Sequence, residues 1–269
     1  MPNTHRLKPG KKVKLADIST RGKDFHKDRK AAEKEFEELK VELAKLQERL
    51  YAEAKQKVLV VLQAMDTGGK DSTIRNVFSG INPQGVQVKS FKEPTKEELA
   101  HDFLWRIHQA VPASGYIGVF NRSHYEDVIV VRVADIFPES VWRPRYELIN
   151  QFEQLLASSG TRVLKFYLHI SEDEQKKRLE ERQEDPQKNW KFNPDDLAKR
   201  KEWKEYMEVY EDAFAHCTTD EAPWYIIPAD QKWYRNLAIA RVVVETLREM
   251  DPQWPKLPSA KLNERKLAK

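Results

Sequence analysis

The chain has 269 residues, of which 40% are hydrophobic and 33% are charged, and its formal net charge is +4. This length suits one large α/β domain or two small ones, and seven Trp and eleven Phe argue against general disorder. The small net charge excludes a global field that would require nucleic acid as a partner. The single cysteine excludes an internal disulfide framework and a cysteine-based zinc site.

Both ends of the chain are basic. Residues 1–32 carry ten Lys or Arg against three Asp, and the last fourteen residues carry five against one Glu. The start, MPNTHRLKPGKK, lacks the apolar core of a signal peptide, and no stretch of about 18 apolar residues follows it. We therefore expect a cytoplasmic protein without a membrane partner. Its expected units are a basic arm (1–25), one domain (26–255) and a basic tail (256–269).

A helical pattern runs from about residue 27 to residue 55 and carries one apolar stripe. The stripe consists of Phe36, Leu39, Leu43, Leu46 and Leu50. It covers only about two heptads, so a helix packed on its own domain is favoured over the seam of a coiled-coil dimer.

Short apolar runs alternate with helical patterns along the rest of the chain. The runs predict strands at 58–63, 86–91, 116–120, 163–169 and 224–227. Helices are expected between them, over 95–112, over 138–160 and over 230–250. This order predicts an α/β fold of three layers, in which helices cover both faces of a parallel sheet of about five strands.

Residues 171–222 form a charged insertion between the fourth and fifth strands. A Ser-x-x-Glu cap at 171–174 predicts the start of a first helix, and the Asn-Pro pair at 193–194 predicts the start of a second. Such a helical hairpin is typical of a lid that closes over a ligand. Arg178 and Arg182 lie four residues apart on one helix face, and we expect them to reach phosphate groups when the lid closes.

The stretch VLVVLQAMDTGGKDSTIRNVF, residues 58–78, predicts a buried strand, a glycine turn and the start of a helix. Backbone N–H groups of such a turn and of the helix N-terminus surround phosphate oxygens, and Lys70 supplies a mobile positive charge. The expected phosphate contacts are Thr67, Gly68, Gly69, Lys70, Asp71, Ser72 and Thr73. The alternative is an ordinary strand–turn–helix junction that uses Asp and Gly for turn chemistry.

Two positions depart from the standard phosphate-binding pattern GxxxxGK[ST]. Ala64 stands in place of the first glycine, and Asp71 stands where a Ser or Thr normally holds magnesium. A carboxylate beside bound phosphates is repelled unless it faces away or meets a cation. Asp66, inside the loop, is a carboxylate that could hold Mg²⁺ against a phosphate chain. We therefore expect the metal ligand of this loop to be Asp66, which precedes Lys70, in place of the usual Ser or Thr that follows the lysine.

The third predicted strand ends in the segment VFNRSHYEDVIVV. Ligands bind at the carboxyl ends of parallel strands, where Asn121 and Arg122 would lie, and Arg122 suits a phosphoryl oxygen through its fixed charge and forked geometry. Glu126 and Asp127 add carboxylates. The alternative is a polar loop with ordinary surface charges, but together with the glycine turn the segment predicts a phosphate–metal site. A role for His124 as a base is less favoured, because phosphoryl transfer needs mainly positioning and charge neutralisation.

Several motifs together resemble the polyphosphate kinase 2 family, which moves phosphoryl groups between inorganic polyphosphate and nucleotides. They are AMDTGGKDSTI, FKEPTKEE, FNRSHYEDV, RQEDPQKNWKFNPDDL and APWYIIPADQKWYRN. The resemblance covers roughly residues 25–255. It implies a P-loop kinase-like core with a helical lid, Mg²⁺ as the cofactor with Mn²⁺ as an alternative, and assembly into a homodimer or homotetramer.

The resemblance also implies roles for single residues. Asp66 matches the family's essential metal-binding aspartate, and Lys70 matches its phosphate-binding lysine. Arg122 matches the arginine after the third strand. Arg106 matches an arginine on the helix before that strand, and Arg178 matches an arginine of the lid.

One position departs from the family pattern. Many members carry a metal-binding Asp where this chain has Asn121, and because an amide is a weaker ligand, Asp127 becomes the expected replacement at the metal. Asn121 together with YEDV resembles the subgroup that accepts both AMP and ADP. Asn121 and Glu126 are therefore expected at the nucleotide, and GMP and GDP are further candidate acceptors.

The sequence therefore predicts a polyphosphate:AMP/ADP phosphotransferase whose catalytic residues are Asp66, Lys70, Arg122 and Asp127. Lys89 and Lys92 are expected to line a basic channel for the donor, and nucleic acid is not expected as a partner. Two alternatives stay open. One is an ATP-dependent nucleoside monophosphate kinase of the same fold, and the other is a nucleotide- or nucleic-acid-binding module without turnover.

Overall fold

The centre of the sheet is strand β1, Lys57–Gln63, in which every residue after Lys57 is buried. Such a nearly continuous apolar run is typical of a parallel strand that is covered on both faces. The structure is a computed structural model and describes residues 2–187, 189–191 and 200–256. In it, β1 pairs in parallel with one neighbouring strand on each side.

Five parallel strands form the sheet, in the order β2-β3-β1-β4-β5. The other four are β2 (Val86–Ser90), β3 (Ile117–Asn121), β4 (Thr161–His169) and β5 (Trp224–Pro228). All five predicted strands are confirmed to within two residues at each end. The order reverses at β1, because the chain passes outward to β2, returns to β3 and then crosses to β4. Ligands of open parallel sheets bind outside the carboxyl ends of the strands at such a reversal.

Helices cover both faces of this sheet. Within the described ranges they are α1 (Arg29–Glu53), α2 (Lys70–Val77), α3 (Lys96–Leu99), α4 (Trp105–His108), α5 (Glu126–Val133), α6 (Glu139–Trp142), α7 (Arg145–Ser158), α8 (Glu172–Glu184), α9 (Trp203–Cys217) and α10 (Lys232–Met250). None of these described helices has the length and apolar character that a membrane crossing requires.

Alternate side chains of β1 enter two separate cores. Val58, Val60 and Leu62 belong to the core formed with α1, α2 and α10. Leu59 and Val61 belong to the core formed with α5, α7 and α9. The period of two residues along the strand explains this division. The predicted three-layer α/β fold is therefore confirmed.

The apolar stripe of α1 is buried within the core of the same chain. Its members in the core shared with α10 are Phe36, Leu39, Leu43, Leu46 and Leu50. The helix begins after Asp28, whose carboxylate accepts a hydrogen bond from the N–H of Ala31 at 3.0 Å. The prediction of a helix packed on its own domain is confirmed.

Two predicted helices are each split in the structure. The helix expected over 95–112 is divided into α3 and α4, because the carboxylate of Asp102 accepts a hydrogen bond from the N–H of Leu104 at 2.9 Å and starts a new turn. The helix expected over 138–160 is divided into α6 and α7 at Pro144. Proline has no N–H with which to continue the preceding helix.

The insertion between β4 and β5 contains α8 and α9. Helix α8 begins after Ser171, whose hydroxyl accepts a hydrogen bond from the N–H of Glu174 at 3.1 Å, so this predicted cap is confirmed. The second predicted start, at 193–194, lies outside the described residues. A lid function for the insertion stays a prediction.

The N-terminal residues lie against the edge of the sheet at β5. The N–H of Leu7 donates to the carbonyl oxygen of Trp224 at 2.8 Å. Leu7 and Leu15 are both buried in the core that also contains Trp224. The segment predicted as a basic arm, residues 1–25, thus contributes two leucines to the core. Residues 257–269 of the predicted basic tail lie outside the described part of the chain.

Candidate active site

Gly68 and Gly69 shape the loop of residues 64–69 that connects β1 to α2, called here the phosphate-binding loop after the role predicted for it. A Cβ at Gly68 would lie 2.5 Å from the Cβ of Ala64 and 2.8 Å from the carbonyl oxygen of Met65. Ala64 therefore fits in place of glycine because the residue that faces it has no side chain. Gly69 has a φ of 101°, in the left-handed region that favours glycine, and leads directly into α2. The unpaired N–H groups at a helix start favour an anion there.

Three hydroxyl residues with predicted phosphate contacts lie in or just after this loop. Ser72 and Thr73 each donate their hydroxyl to the carbonyl oxygen of Gly69 at 3.0 Å, so these two side chains brace the loop. Thr67 has a φ of 61°, which is unusual for a β-branched residue. Backbone strain of this kind is concentrated at binding and catalytic sites. Direct phosphate contacts of these residues stay a prediction.

Lys70 folds back over the phosphate-binding loop. Its ammonium donates to the carbonyl oxygens of Ala64 and Met65, at 2.8 and 3.4 Å. Burial, and to a smaller extent the charge of Arg122, lowers the pKa of Lys70 to about 8. A neutral carbonyl is a weaker partner for an ammonium than an anion is. A phosphate group in the loop would therefore attract this ammonium away from its present partners.

Asp71 and Asn121 link the first turn of α2 to the end of β3. The side-chain amide of Asn121 donates to Oδ1 of Asp71 at 2.7 Å. The carboxylate that replaces the usual Ser or Thr is thus engaged by an amide on the neighbouring strand. This contact gives Asp71 a polar partner other than a phosphate. It also places Asn121 beside the loop, while its contact with a nucleotide stays a prediction.

Arg122 joins the end of β3 to the phosphate-binding loop. Its NH2 group donates to Oδ1 of Asp66 at 2.9 Å, and its NH1 group donates to Oε2 of Glu126 at 3.1 Å. The charges of Glu126 and Asp66 raise the pKa of Arg122, although its burial opposes this. Its backbone has a φ of 63°, a left-handed conformation that persists only where the surroundings fix it. The structure therefore brings Asp66, Arg122 and Glu126 together.

Asp127 lies on the first turn of α5 between two cations. Arg106 approaches its Oδ2 atom at 3.5 Å, and Arg145 donates to its Oδ1 atom at 3.3 Å and to its carbonyl oxygen at 2.9 Å. Burial raises the pKa of Asp127 against the opposing effect of both arginines. Arg106 also donates to the carbonyl oxygen of Lys92 at 2.9 Å. The predicted metal ligand and a predicted phosphate-binding arginine are therefore paired with each other in this structure.

Arg178, on α8, supports the phosphate-binding loop from the insertion. Its guanidinium donates to the carbonyl oxygens of Thr67 and Gly68 at 3.2 and 3.3 Å, and to that of Ala229 at 2.7 Å. The side chain is buried, so in this conformation it fixes the backbone of the loop. Arg182 lies one turn further along the same helix and is half-buried.

Lys89 and Lys92 are exposed at the edge of the sheet formed by β2. In the register of β2 and β3, Ser90 lies opposite Asn121. Along the chain, Lys89 precedes Ser90 and Lys92 follows it. Both lysines are therefore close in sequence to the residue that pairs with the end of β3, which Arg122 directly follows. This placement suits a basic approach to the strand ends, and contact with a polyanion stays a prediction.

A narrow cavity lies between the phosphate-binding loop, α5 and α9. Three predicted site residues line it, namely Asp66, Arg122 and Glu126. Further lining side chains fall outside the predicted set, namely Val130, Gln175, Tyr206 and Tyr210. Gln175 donates to the carbonyl oxygen of Asp66 at 3.1 Å. The two tyrosines lie four residues apart on one face of α9, a spacing that the sequence shows as YMEVY but that does not by itself indicate a site.

A buried polar network lies beneath the start of α5. Glu153 accepts hydrogen bonds from Lys165 at 2.5 Å and from the hydroxyl of Tyr125 at 3.0 Å, and it lies 3.1 Å from Nε2 of His124. All four side chains are buried. Although burial opposes ionisation, Lys165 and His124 lower the pKa of Glu153. His124 is thus held in a structural contact, which does not favour its role as a base.

The carboxylates of the site suit a hard divalent cation. Among the described residues, no group of three or more His, Cys, Asp or Glu side chains could hold a metal ion. Mg²⁺ needs fewer protein ligands, because waters and substrate phosphates complete its coordination. Asp66 lines the cavity, and the Oδ2 atom of Asp127 is buried and accepts no hydrogen bond within the described chain. Asp66 therefore fits a metal that is shared with a phosphate substrate. Asp127 does not line this cavity and is paired with Arg106 and Arg145, so its part in the metal site stays a prediction.

Comparison with known proteins finds relatives that extend over most of the chain. The sequence model of a family described as Polyphosphate kinase 2 (PPK2) matches residues 26–255. An AMP/ADP-polyphosphate phosphotransferase from Meiothermus ruber is 53% identical over 236 residues, which cover 88% of each chain. An ADP-polyphosphate phosphotransferase from Rhodopseudomonas palustris is 41% identical, and the match covers 96% of this chain and 94% of that one.

A solved structure shares the fold over the same length. The crystal structure of polyphosphate kinase 2 from Arthrobacter aurescens TC1 superposes with a TM-score of 0.92 at 40% sequence identity. The superposition covers 98% of this chain and 95% of that chain. The strand order and the helical layers described above are therefore those of a solved relative.

Proposed function

Because this chain belongs to the polyphosphate kinase 2 family, we propose that it transfers a phosphoryl group reversibly between inorganic polyphosphate and the acceptors AMP and ADP. The observation that carries the proposal is the convergence of Lys70, Arg122 and Asp66 at the carboxyl ends of β1 and β3. Two cationic side chains and a carboxylate at one edge of the sheet suit two anions that repel each other. The relatives from Meiothermus ruber and Rhodopseudomonas palustris are named as phosphotransferases that act on polyphosphate with AMP or ADP and with ADP, which agrees with this choice of substrates.

The chemistry is a direct displacement at phosphorus. A phosphate oxygen of AMP attacks the terminal phosphorus of polyphosphate, and a new P–O bond forms as the bond to the bridging oxygen breaks. AMP becomes ADP, and the polyphosphate chain is shortened by one unit. Because the attacking oxygen is already ionised at neutral pH, the reaction needs no general base and no covalent enzyme intermediate. The transition state is loose, so positioning and charge neutralisation supply most of the catalysis.

Each residue of the site has a different role in this reaction. Lys70 leaves its carbonyl partners and follows the phosphates of the donor, and Arg122 places its forked guanidinium on the transferred group. Asp66 and Asp127 would hold Mg²⁺, or Mn²⁺ in its place, which supplies charge neutralisation between donor and acceptor. Asn121 and Glu126 are proposed to contact the acceptor nucleotide, which their contacts with Asp71 and Arg122 at the edge of the site support.

An assay without ATP tests this function. The protein is incubated with polyphosphate, Mg²⁺ and one acceptor at a time, namely AMP, ADP, GMP or GDP, and the nucleotide products are separated and measured. We expect ADP from AMP and ATP from ADP. No product without ATP, together with ADP formation when ATP is supplied, would instead indicate a nucleoside monophosphate kinase.

The second alternative, a binding module without turnover, predicts a different pattern. It predicts nucleotide or nucleic-acid binding that survives Asp66→Ala, weakens steeply with salt, and is accompanied by no product with any donor. The proposed enzyme loses turnover in the same variant. We further propose a cytoplasmic homodimer or homotetramer, and light scattering after gel filtration measures that assembly directly.

A further inference from the structure

Arg235 lies in the first turn of α10, within the motif KWYRN, and falls outside the predicted site. Its side chain is fully buried. Its Nε and NH2 groups donate to Oδ1 of Asn236 at 3.2 and 2.9 Å, and NH2 also donates to the hydroxyl of Ser72 at 3.0 Å. NH1 is buried and makes no hydrogen bond within the part of the chain that the structure describes.

The charge of Arg235 has no counter-ion among the described residues. Its hydrogen-bond acceptors are an amide and a hydroxyl, whereas Arg241 on the same helix makes two hydrogen bonds of 2.6 Å to the carboxylate of Glu35. Instead, a second cation, the guanidinium of Arg178, repels the charge of Arg235. Burial and this neighbouring cation together lower the pKa of Arg235 to about 9. A buried cation without a counter-ion destabilises the free protein, so a negative ligand nearby would stabilise it.

The guanidinium packs directly behind the phosphate-binding loop. Its NH1 atom occupies the space that a Cβ at Gly69 would need, which is a second reason for glycine at this position. Ser72 accepts a hydrogen bond from Arg235 and donates one to the carbonyl oxygen of Gly69. One hydroxyl thus links the buried cation to the backbone that leads into α2, where the helix start favours an anion.

We propose that Arg235 is a positioning residue of the phosphate-binding loop, which it braces through Ser72 and Gly69, and that the polyphosphate donor neutralises its buried charge. The inference rests on the proposed function only for the identity of the anion, because the charge argument applies to any oligophosphate in the loop. Arg235 does not touch the donor, since NH1 is buried behind Gly69. It acts on donor binding and not on binding of the acceptor nucleotide.

Arg235→Met tests this role, because it keeps much of the side-chain volume and removes the charge. We expect the KM for polyphosphate to rise about tenfold and the KM for AMP to stay within about twofold. The rise in melting temperature on adding tripolyphosphate should shrink. The melting temperature of the ligand-free protein should stay the same or increase, because an uncompensated buried cation has been removed.

Arg241→Met is the matched control on the same helix. It breaks the ion pair with Glu35, so we expect a lower melting temperature with unchanged KM values for polyphosphate and AMP. The two arginines should therefore show opposite patterns, one in ligand binding and the other in the stability of the free protein.

Arg235→Lys gives a second readout and keeps the test valid if the methionine variant does not fold. Burial lowers the pKa of a lysine, so the charge of this variant is lost as the pH rises. Relative to the wild-type protein, we expect the tripolyphosphate-induced rise in melting temperature to be retained near about pH 6 and lost near about pH 9. An arginine with a purely structural role would produce no such pH dependence on replacement by lysine.

Three outcomes would overturn the inference. They are a lower melting temperature of free Arg235→Met with unchanged polyphosphate KM, an equal rise of both KM values, and a tripolyphosphate effect in Arg235→Lys with the same pH dependence as in the wild-type protein. Failure of the proposed function would look different. The wild-type protein would then transfer nothing from polyphosphate, yet tripolyphosphate would still raise its melting temperature, and Arg235→Met would reduce that rise.

Discussion

Arg122 donates a hydrogen bond of 2.9 Å to Oδ1 of Asp66, across 56 residues of sequence. The two side chains come from the ends of neighbouring strands, and in the proposed reaction each has another partner. Arg122 would contact the transferred phosphoryl group, and Asp66 would contact a metal ion. In the free protein this hydrogen bond satisfies both charges, so binding of the substrates must exchange it for new contacts.

Asp66→Asn is expected to remove turnover while leaving the fold intact. The amide oxygen can still accept the hydrogen bond from Arg122, but an amide is a weak ligand for Mg²⁺, so we expect kcat to fall about 10²–10³-fold. ADP formation from AMP and polyphosphate measures this, with the melting temperature recorded alongside. Asp24→Asn, which removes a carboxylate that is paired with Arg21 and is not among the residues of the site, is the control that should keep full turnover. Turnover of Asp66→Asn near the wild-type level would contradict the metal role.

Asn121→Asp is expected to make the free protein dependent on a cation. Asn121 donates to Asp71 at 2.7 Å, so the substitution would bring two carboxylates into contact, and their repulsion should cost about 1 kcal/mol or more. We expect the melting temperature to fall by about 2–4 °C and to recover more strongly with Mg²⁺ than that of the wild-type protein. The double variant Asn121→Asp/Asp71→Asn restores a donor and an acceptor and should melt normally. Equal Mg²⁺ effects on both proteins would argue against a cation at this position.

The pKa of Lys70 predicts that donor binding depends on pH. The free protein carries this charge below about pH 8 and loses it above, because burial lowers the pKa. A bound polyanion favours the charged form of Lys70. Binding of tripolyphosphate near and above about pH 8 is therefore accompanied by uptake of a proton. Above about pH 8, the affinity for tripolyphosphate should weaken by up to about tenfold for each pH unit by which the pH rises.

Isothermal titration calorimetry in two buffers of different ionisation enthalpy measures this proton uptake. Lys70→Arg is the control, because arginine stays charged over the whole range. The ionisation of tripolyphosphate itself is common to both proteins and cancels in the comparison. The same proton uptake by the wild-type protein and Lys70→Arg would show that another group titrates.

Lys165→Met is expected to destabilise the whole domain. It would leave the buried carboxylate of Glu153 without the ammonium that now lies 2.5 Å away, and removal of one member of a buried ion pair costs about 3–5 kcal/mol. Urea unfolding measures the free energy of unfolding. The double variant Lys165→Met/Glu153→Gln should recover part of the loss. A change of less than about 1 kcal/mol in the single variant would mean that Glu153 is protonated or solvated instead.

The strands of the sheet are predicted well from the sequence because each strand depends on a pattern of residues that are adjacent in the chain. Val58, Val60 and Leu62 belong to one core and Leu59 and Val61 to the other, and a strand between two layers requires apolar residues at all of these positions. The glycine turn and the caps are also local features. The interruptions of the predicted helices at Asp102 and at Pro144 are harder to predict. A capping side chain or a proline can mark the point where one helix ends and another begins, or it can lie in the first turn of a single helix.

The candidate site is less predictable because long side chains reach partners that tertiary packing selects. The sequence identifies Arg178 as a basic residue on a helix face, but it does not show that the guanidinium reaches the carbonyls of Thr67 and Gly68. Arg235 lies 163 residues from its partner Ser72, and although it falls within the motif APWYIIPADQKWYRN, that motif does not show which loop its guanidinium reaches. Tyr206 and Tyr210 likewise become cavity residues only because α9 packs beside α5.

The burial of Leu7 and Leu15 has a practical consequence for anyone who expresses this enzyme. The family match begins at residue 26, yet both leucines lie in the core beside β5. A fragment cut to the matched region would expose the apolar surface that they cover, and such surface promotes aggregation. Leu7 and Leu15 should therefore be kept in any fragment that is expressed, and an affinity tag placed before them should be separated from them by a flexible spacer.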